Sequence, residues 1–355
     1  MSPPFWKPPA ERYPGQLPEK ADVLVVGGGI TGVSLLHHLR QRGMDAVLVE
    51  RDHLASGASG RNAGFLLAGV AESYAGAVRI YGRTKTKDVW GLTVENHDRQ
   101  VEAAAGQEIG HRREGGVILA SGPEEARELE ESAQLLREDG FEAEWEGKVL
   151  FNPKDGEINP AALVGALARQ APMGAIREGV LVTGVEPSAG GVTVHAGGDS
   201  CAAGVVIFAT NAYTPFVLPQ VPIQPNRAQM LATEPWAVRV TELPTYSHHG
   251  YRYWRQLRTG ELLIGGWRDT SMQTEIGYDT EPTPGIQGHL DEAVHGLGIT
   301  GRVTHRWAGT MGFTQDGLPV VGPVEGMKNV YVCAGFNGHG MGFAFMSAKG
   351  LVDRL

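Results

Sequence analysis

The sequence predicts an α/β fold in two parts: a βαβ dinucleotide-binding domain assembled from discontinuous segments, and an α+β domain with a mixed sheet inserted between them. Three observations predict it. The stretch "DVLVVGGGITGVSLLHHL" places an apolar run before a glycine-rich loop and a helical stripe after it. A second apolar run, "DAVLVE", follows directly. The 355 residues exceed what one core of ordinary size takes up.

Each element follows in order. The first twenty residues carry six prolines and read as an extended lead-in, residues 1–20. Val23 to Val26 suit a strand buried on both faces. Val33, Leu36 and Leu39 mark one face of a helix from Thr31 to Arg42. "GVILAS" reads as a strand, 123–139 as a charged exposed helix and 160–171 as another helix. Short strands are expected at "GVLVTGVE", "GVTVHA" and "AGVVIFAT". "RYWRQLRTGELLIGG" reads as a hairpin turning at Thr259-Gly260. "NVYVCAGFNGHGMGFAFMSAKGLVDRL" reads as a buried strand, a glycine turn and a closing helix. The cofactor domain is expected to comprise 21–85, 150–215 and 305–355, and the substrate domain 86–149 and 216–304.

Composition excludes several classes. Glycine supplies 50 of the 355 residues, about twice the usual ~7%. It has no period, so it marks tight turns and close backbone approaches. The net charge of −9 argues against a nucleic-acid partner, which needs a basic face. No apolar run approaches the ~18 residues of a membrane span. The N-terminus lacks a basic start followed by an apolar core, so no signal peptide is expected, and the expected location is the cytoplasm. Cys201 and Cys333 lie in apolar strand-like runs and are expected to be buried free thiols. "SHHG" and His37-His38 come with no ligand set at metal spacing, so no metal is expected.

In "GGGITG" the G-x-G-x-x-G spacing is met by Gly27, Gly29 and Gly32. The first allows a tight turn, the second lets backbone approach a pyrophosphate, and the third lets helix and strand pack closely. Glu50, at the end of the second strand, can accept from both ribose hydroxyls. This is a Rossmann-like unit. An NAD domain usually proceeds to a third strand and helix; here "RDHLASGASGRNAGFL" intervenes. Its small residues and free N–H groups can run back along a longer cofactor.

"LVERDHLASGASGRNAG" resembles the second flavin signature of the D-amino-acid, glycine and sarcosine oxidase family. "WAGTMGFTQDGLPVVGP" and "NVYVCAGFNGHGMGFAF" resemble its closing signature. The lead-in, "ATNAY" and "YWRQLRTGELLIGG" are most similar to its γ-glutamylputrescine oxidase-like branch. The resemblance implies FAD, with Gly27, Gly29, Ile30, Thr31 and Glu50 on the AMP half and Arg51 beside it. It implies that Ser59, Gly60, Arg61, Asn62, Ala63, Gly64 and Leu66 run past the pyrophosphate and flavin. Val182 matches the position whose backbone meets the adenine. Gly309, Met311, Gly338, His339, Gly340 and Met341 would border the ring. Asn62 stands where some relatives have a tethering histidine, and "GTMGFTQDGLP" lacks the cysteine that tethers others, so the FAD is expected to be non-covalent.

A helix starting near Gly340 would turn its positive end towards the flavin and stabilise the reduced, anionic ring. His339 would either add positive charge there or serve as N-cap or packing residue. The family grips a substrate carboxylate with a tyrosine and an arginine four residues on. "YRYWR" has that spacing at Tyr251 and Arg255, which share a strand face; the alternative is an arginine on a cationic hairpin rim. Leu263 and Gly342 replace two lysines associated with oxygen activation. The expected activity is oxidation of an amine or amino-acid C–N bond by hydride transfer to flavin N5, with oxygen as acceptor and peroxide as product. The alternatives are a dehydrogenase with a quinone or protein acceptor, and a flavin-binding scaffold or assembly factor.

Overall fold

The computed structural model describes residues 2–188 and 190–355. Two eight-stranded sheets organise it. The first runs Val320–Pro323, Val330–Ala334, Asp199–Phe208, Lys20–Val26, Ala46–Glu50, Ile176–Glu178, and its last five strands are parallel. Val26 is paired with Phe208 on one side and Val49 on the other, which explains the unbroken apolar run at its centre. Gly184–Ser188 and Gly191–Ala196 extend this sheet as an antiparallel meander.

Helix Ile30–Gln41 follows the glycine loop and packs against helices Pro160–Ala168 and Gly340–Val352 on one face of the sheet. Leu35, Leu36 and Leu39 meet Phe343, Phe345 and Leu351 in that layer. His38 is buried there, its Nε2 3.1 Å from the Phe345 carbonyl. Burial holds its imidazole down at about 4, so it is neutral at pH 7.

The second sheet runs Val303–Phe313, Gln224–Thr233, Leu262–Gly266, Arg252–Gln256, Thr245–Ser247, Gly116–Leu119, Val149–Asn152, Glu144–Glu146. It is mixed, because Thr245–Ser247 and Gly116–Leu119 are parallel within an otherwise antiparallel order. Helix Pro284–Gly296 covers one face through Ile286, Leu290 and Val294. The expected boundaries at 150 and 305 fall inside strands of this sheet. Val303–Phe313 pairs along its length with Gln224–Thr233, so a segment assigned to the cofactor domain builds the other sheet.

Most expected elements lie where the sequence places them, within a few residues. "GVLVTGVE" differs: the strand begins only at Gly184, and residues 180–183 line a cavity wall. Helices Tyr74–Tyr81, Arg83–Ala103 and Pro284–Gly296 have no counterpart in the sequence reading. In Arg83–Ala103 the buried stripe is Thr86, Trp90, Thr93, Asn96, His97 and Gln100, helical in spacing but mostly polar, so no apolar period marks it. No helix is long and apolar enough to cross a membrane among the described residues.

Candidate active site

A cavity of about 970 Å³ lies between the two sheets. That is the upper end of ordinary ligand sites, ~300–1,000 Å³. One wall is the glycine loop. A Cβ on Gly32 would stand 1.8 Å from the Gly27 carbonyl, and one on Gly27 would stand 2.7 Å from the Ala209 carbonyl. Both positions exclude any side chain. Helix Ile30–Gln41 begins here, and the N–H of Ile30 donates to Ser59 Oγ at 2.9 Å. The two loops expected to share the cofactor are therefore bonded to each other.

Glu50 closes this end. Its carboxylate accepts from the N–H groups of Gly28 at 2.6 Å and Asp52 at 2.9 Å. Burial pushes the Glu50 carboxyl up, and the two N–H donors pull it partly back. Gly28, the middle glycine outside the G-x-G-x-x-G spacing, was missed by the sequence reading. A Cβ there would meet Leu54 at 2.7 Å and Glu50 at 2.9 Å. Arg51 stacks over Tyr213, 4.1 Å from its ring centre, at the same rim as Val182.

The second loop continues the wall through Ser59, Arg61, Asn62 and Ala63. Arg61 donates to the carbonyls of Ser56 and Ala308, both at 2.9 Å, and has no carboxylate partner among the described residues. A Cβ on Gly309 would lie 3.0 Å from Arg61 Cβ, so a side chain there would press on this stem. The Asn62 side chain donates to the carbonyls of Ala58 and Ser59 and accepts from the N–H of Gly64, so it is an internal strut of the loop.

Three expected contacts of this loop lie off the cavity. Gly60 is glycine because the Ala55 carbonyl passes 2.2 Å from its missing Cβ, and Gly64 because the Ile158 carbonyl does the same at φ +76°. Leu66 points away, since strand alternation turns its neighbours Phe65 and Leu67 inward.

The closing helix starts at Gly340, as its sequence predicts, with His339 as N-cap residue. Gly338, His339, Gly340, Met341, Gly309 and Met311 all line the cavity. Asn96 and Gln100 of the unforeseen helix donate to the Met341 carbonyl, each at 3.0 Å, and fix this helix start from outside. His339 Nδ1 lies 3.1 Å from the Asn337 carbonyl, which can only accept, so Nδ1 carries the proton and Nε2 is an acceptor. Burial holds its imidazole below the ordinary range. Of the two roles expected of His339, the structure places it at the helix N-cap position, and burial disfavours the charged form of its ring.

The second sheet forms the remaining wall. Tyr246, Tyr251 and Tyr253 face the cavity. Burial pushes the phenols of Tyr246 and Tyr253 up, and neither hydroxyl has a protein partner among the described residues. Arg255 is not with them. It is 3% exposed and lies off the cavity. Its Nη1 donates to the carbonyls of Ala63, Gly64 and Ile158, and its Nε stands 3.1 Å from Glu157 Oε2. The strand carries it two residues past Tyr253, under the loop. The expected carboxylate clamp at Arg255 is therefore corrected: Glu157 meets its charge and backbone carbonyls take its Nη1 inside the fold.

Arg268 stands in its place. Gly266, at φ +119°, and Trp267, at φ +60°, reverse the chain after the strand and send Arg268 to the cavity wall. Its guanidinium lies 5.2 Å from the Tyr251 ring centre and 4.8 Å from that of Phe313. It has no carboxylate partner among the described residues. By contrast Arg252, on the outer strand face, is paired with Asp269. The sequence signal that could have found Arg268 is the glycine ending the hairpin, which marks a reversal.

The glycine cradle, the Glu50 carboxylate and the helix start line one cavity, an arrangement complementary to a dinucleotide with a second ring system. The family of FAD-dependent oxidoreductases called DAO matches residues 22–354. The chain belongs to this family.

As a DAO member it is an FAD-dependent enzyme. It is 27% identical over 350 residues to the tRNA 5-methylaminomethyl-2-thiouridine biosynthesis bifunctional protein MnmC of Maricaulis maris (strain MCS10), covering 98% of this chain and 54% of that one. It is 26% identical over 407 residues to mitochondrial dimethylglycine dehydrogenase of Rattus norvegicus, covering 99% and 43%. The chain thus spans about half the length of these curated relatives. Among solved structures, glycine oxidase from Geobacillus kaustophilus superposes with a TM-score of 0.78 at 21% identity, covering 95% of each chain. L-Proline dehydrogenase from P. horikoshii gives 0.77 at 22%, covering 95% and 93%. These two share the fold of this DAO protein.

Proposed function

We propose that this enzyme oxidises the C–N bond of a carboxylate-bearing amine or amino acid to an imine, with FAD bound non-covalently. The carrying observation is Arg268, a guanidinium on the cavity wall that no carboxylate among the described residues neutralises. FAD supplies the hydride acceptor. The chain does the rest by positioning. Arg268 takes the substrate carboxylate through its planar fork, with Tyr251 packed on one face. Tyr246 and Tyr253 stay protonated and donate their free hydroxyls. His339 Nε2 accepts, so it can orient a substrate N–H. Free N–H groups at Gly340 and Met341 favour negative charge on whatever faces the helix start.

The names of the relatives support the class: dimethylglycine dehydrogenase, sarcosine dehydrogenase and 4-methylaminobutanoate oxidase all act on amines that carry a carboxylate by name. The γ-glutamylputrescine oxidase-like branch is the finer placement we favour from the hairpin motif. Oxygen is the proposed acceptor. A second reading, transfer to a quinone or protein, is favoured by one observation: no lysine lines the cavity among the described residues.

An anaerobic screen of amines and N-alkyl amino acids tests this. Acidic amines should bleach the flavin, and admitting air should restore its colour with release of peroxide. Slow reoxidation in air selects the second reading. Bleaching by none of the carboxylate-bearing amines refutes the substrate class. Acid precipitation should leave FAD in the supernatant; colour in the pellet refutes non-covalent binding.

A further inference from the structure

Four consecutive backbone carbonyls of the second flavin loop are held by side chains from distant parts of the chain. The Arg61 carbonyl accepts from Trp307 Nε1 at 2.9 Å, and the Asn62 carbonyl from Trp6 Nε1 at 2.7 Å. Arg255 Nη1 donates to the Ala63 carbonyl at 3.0 Å and the Gly64 carbonyl at 2.9 Å. Trp6, Trp307 and Arg255 lie outside the cavity, whereas Arg61, Asn62 and Ala63 line it.

In a trans peptide the N–H points opposite to the carbonyl of the preceding residue. Holding the Arg61 and Asn62 carbonyls outward therefore turns the N–H groups of Asn62 and Ala63 inward. Neither of these N–H groups has a protein partner among the described residues. The three donors come from the lead-in, from strand Val303–Phe313 and from strand Arg252–Gln256, and two of them touch: the Arg255 guanidinium lies 5.4 Å from the Trp6 ring centre. Arg255 is itself braced by buried Glu157, which Arg112 also approaches at 3.2 Å.

We propose that Trp6, Trp307 and Arg255 are positioning residues of the flavin site, which aim the N–H groups of Asn62 and Ala63 at the cofactor. Oriented N–H groups act as fixed partial positive charges and cost no reorganisation when negative charge develops on a ring beside them. The clamp thus raises both affinity for FAD and the ease of reducing it. It also makes the proline-rich lead-in part of the cofactor site, although none of its residues reaches the cavity.

Trp6→Phe keeps a ring in place and removes the N–H. FAD release on dilution of the purified holoprotein, followed by flavin fluorescence, should show a dissociation constant raised about 5-fold, the usual worth of one neutral hydrogen bond. The flavin midpoint potential should become more negative. Melting in saturating FAD should fall by no more than the ligand stabilisation lost with that ~5-fold weaker binding. Arg255→Lys keeps a cation for Glu157 but loses the fork, and should move affinity and potential the same way. FAD affinity and potential equal to the parent in Trp6→Phe overturn the proposal. So does a change confined to melting temperature in both variants. These readouts need no turnover, so their failure is distinct from failure of the amine reading.

Discussion

The glycine-loop wall and the tyrosine-lined wall of this cavity are built on different principles. At the first, backbone does the work. Gly27, Gly28 and Gly32 are set by carbonyls and side chains that would collide with any Cβ, and Glu50 is held by N–H groups of its own neighbourhood. At the second, side chains from several strands and a loop converge, and the hairpin alternation does not say which of them stay free. Arg255 and Arg268 make the contrast plain. Both are arginines of one hairpin region; one is buried against three carbonyls and Glu157, the other sits on the wall between two aromatic rings. A wall made of backbone tolerates almost no substitution, whereas a wall made of side chains can change specificity without changing fold.

Four measurements sharpen or break that contrast. The largest effect is expected at Arg255. Arg255→Ala leaves Glu157 buried beside Arg112 alone and the Ala63 and Ile158 carbonyls without a donor, while the Gly64 carbonyl keeps the Ile158 N–H, and should cost about 3–5 kcal/mol of folding free energy. Denaturant unfolding checks it; a loss below ~1 kcal/mol would return Arg255 to the surface role. Next is Gly32→Ala, where backbone must move to admit one methyl. About 3 kcal/mol of stability should go, with loss of the yellow colour in the purified protein. Retained colour and unchanged melting would mean the loop is softer than its geometry.

Arg268→Ala should leave melting unchanged and lower kcat/KM for an acidic amine by at least ~2 kcal/mol, the lower range for losing a desolvated charge partner. Arg268→Lys should recover part, because an ammonium lacks the fork. An amine without a carboxylate should respond weakly to either change. Equal losses for both substrates would show that Arg268 shapes the wall rather than binding the carboxylate. The smallest effect is at Glu50. Glu50→Ala should weaken FAD binding by about 1.5–3 kcal/mol, and Glu50→Gln by less, since an amide oxygen still accepts. Flavin fluorescence titration that ranks the two variants equal to the parent would remove Glu50 from the ribose.

Much of the fold was legible because it follows local rules. Val23–Val26, the helix after Gly29 and the closing helix at Gly340 announce themselves by apolar runs and glycine spacing. Helix Arg83–Ala103 did not, because the face it buries is Thr, Asn, His and Gln, whose burial is made tolerable only by partners such as the Met341 carbonyl, 245 residues away for Asn96. The strand boundary at 303 was equally hidden, since pairing with Gln224–Thr233 is a choice between sheets and not a property of the strand.

By itself the sequence determined the glycine-loop half of the cavity: a strand, a loop that only glycine can make, and an acid at the end of the next strand. Steric exclusion acts over a few residues, so it is written in their order. Tertiary structure alone decided the other half. Which arginine keeps its charge free depends on whether a carboxylate or a row of carbonyls from elsewhere lies within reach. That is settled by packing between two sheets, where Glu157 and the 61–64 loop meet Arg255 and leave Arg268 without a carboxylate partner among the described residues.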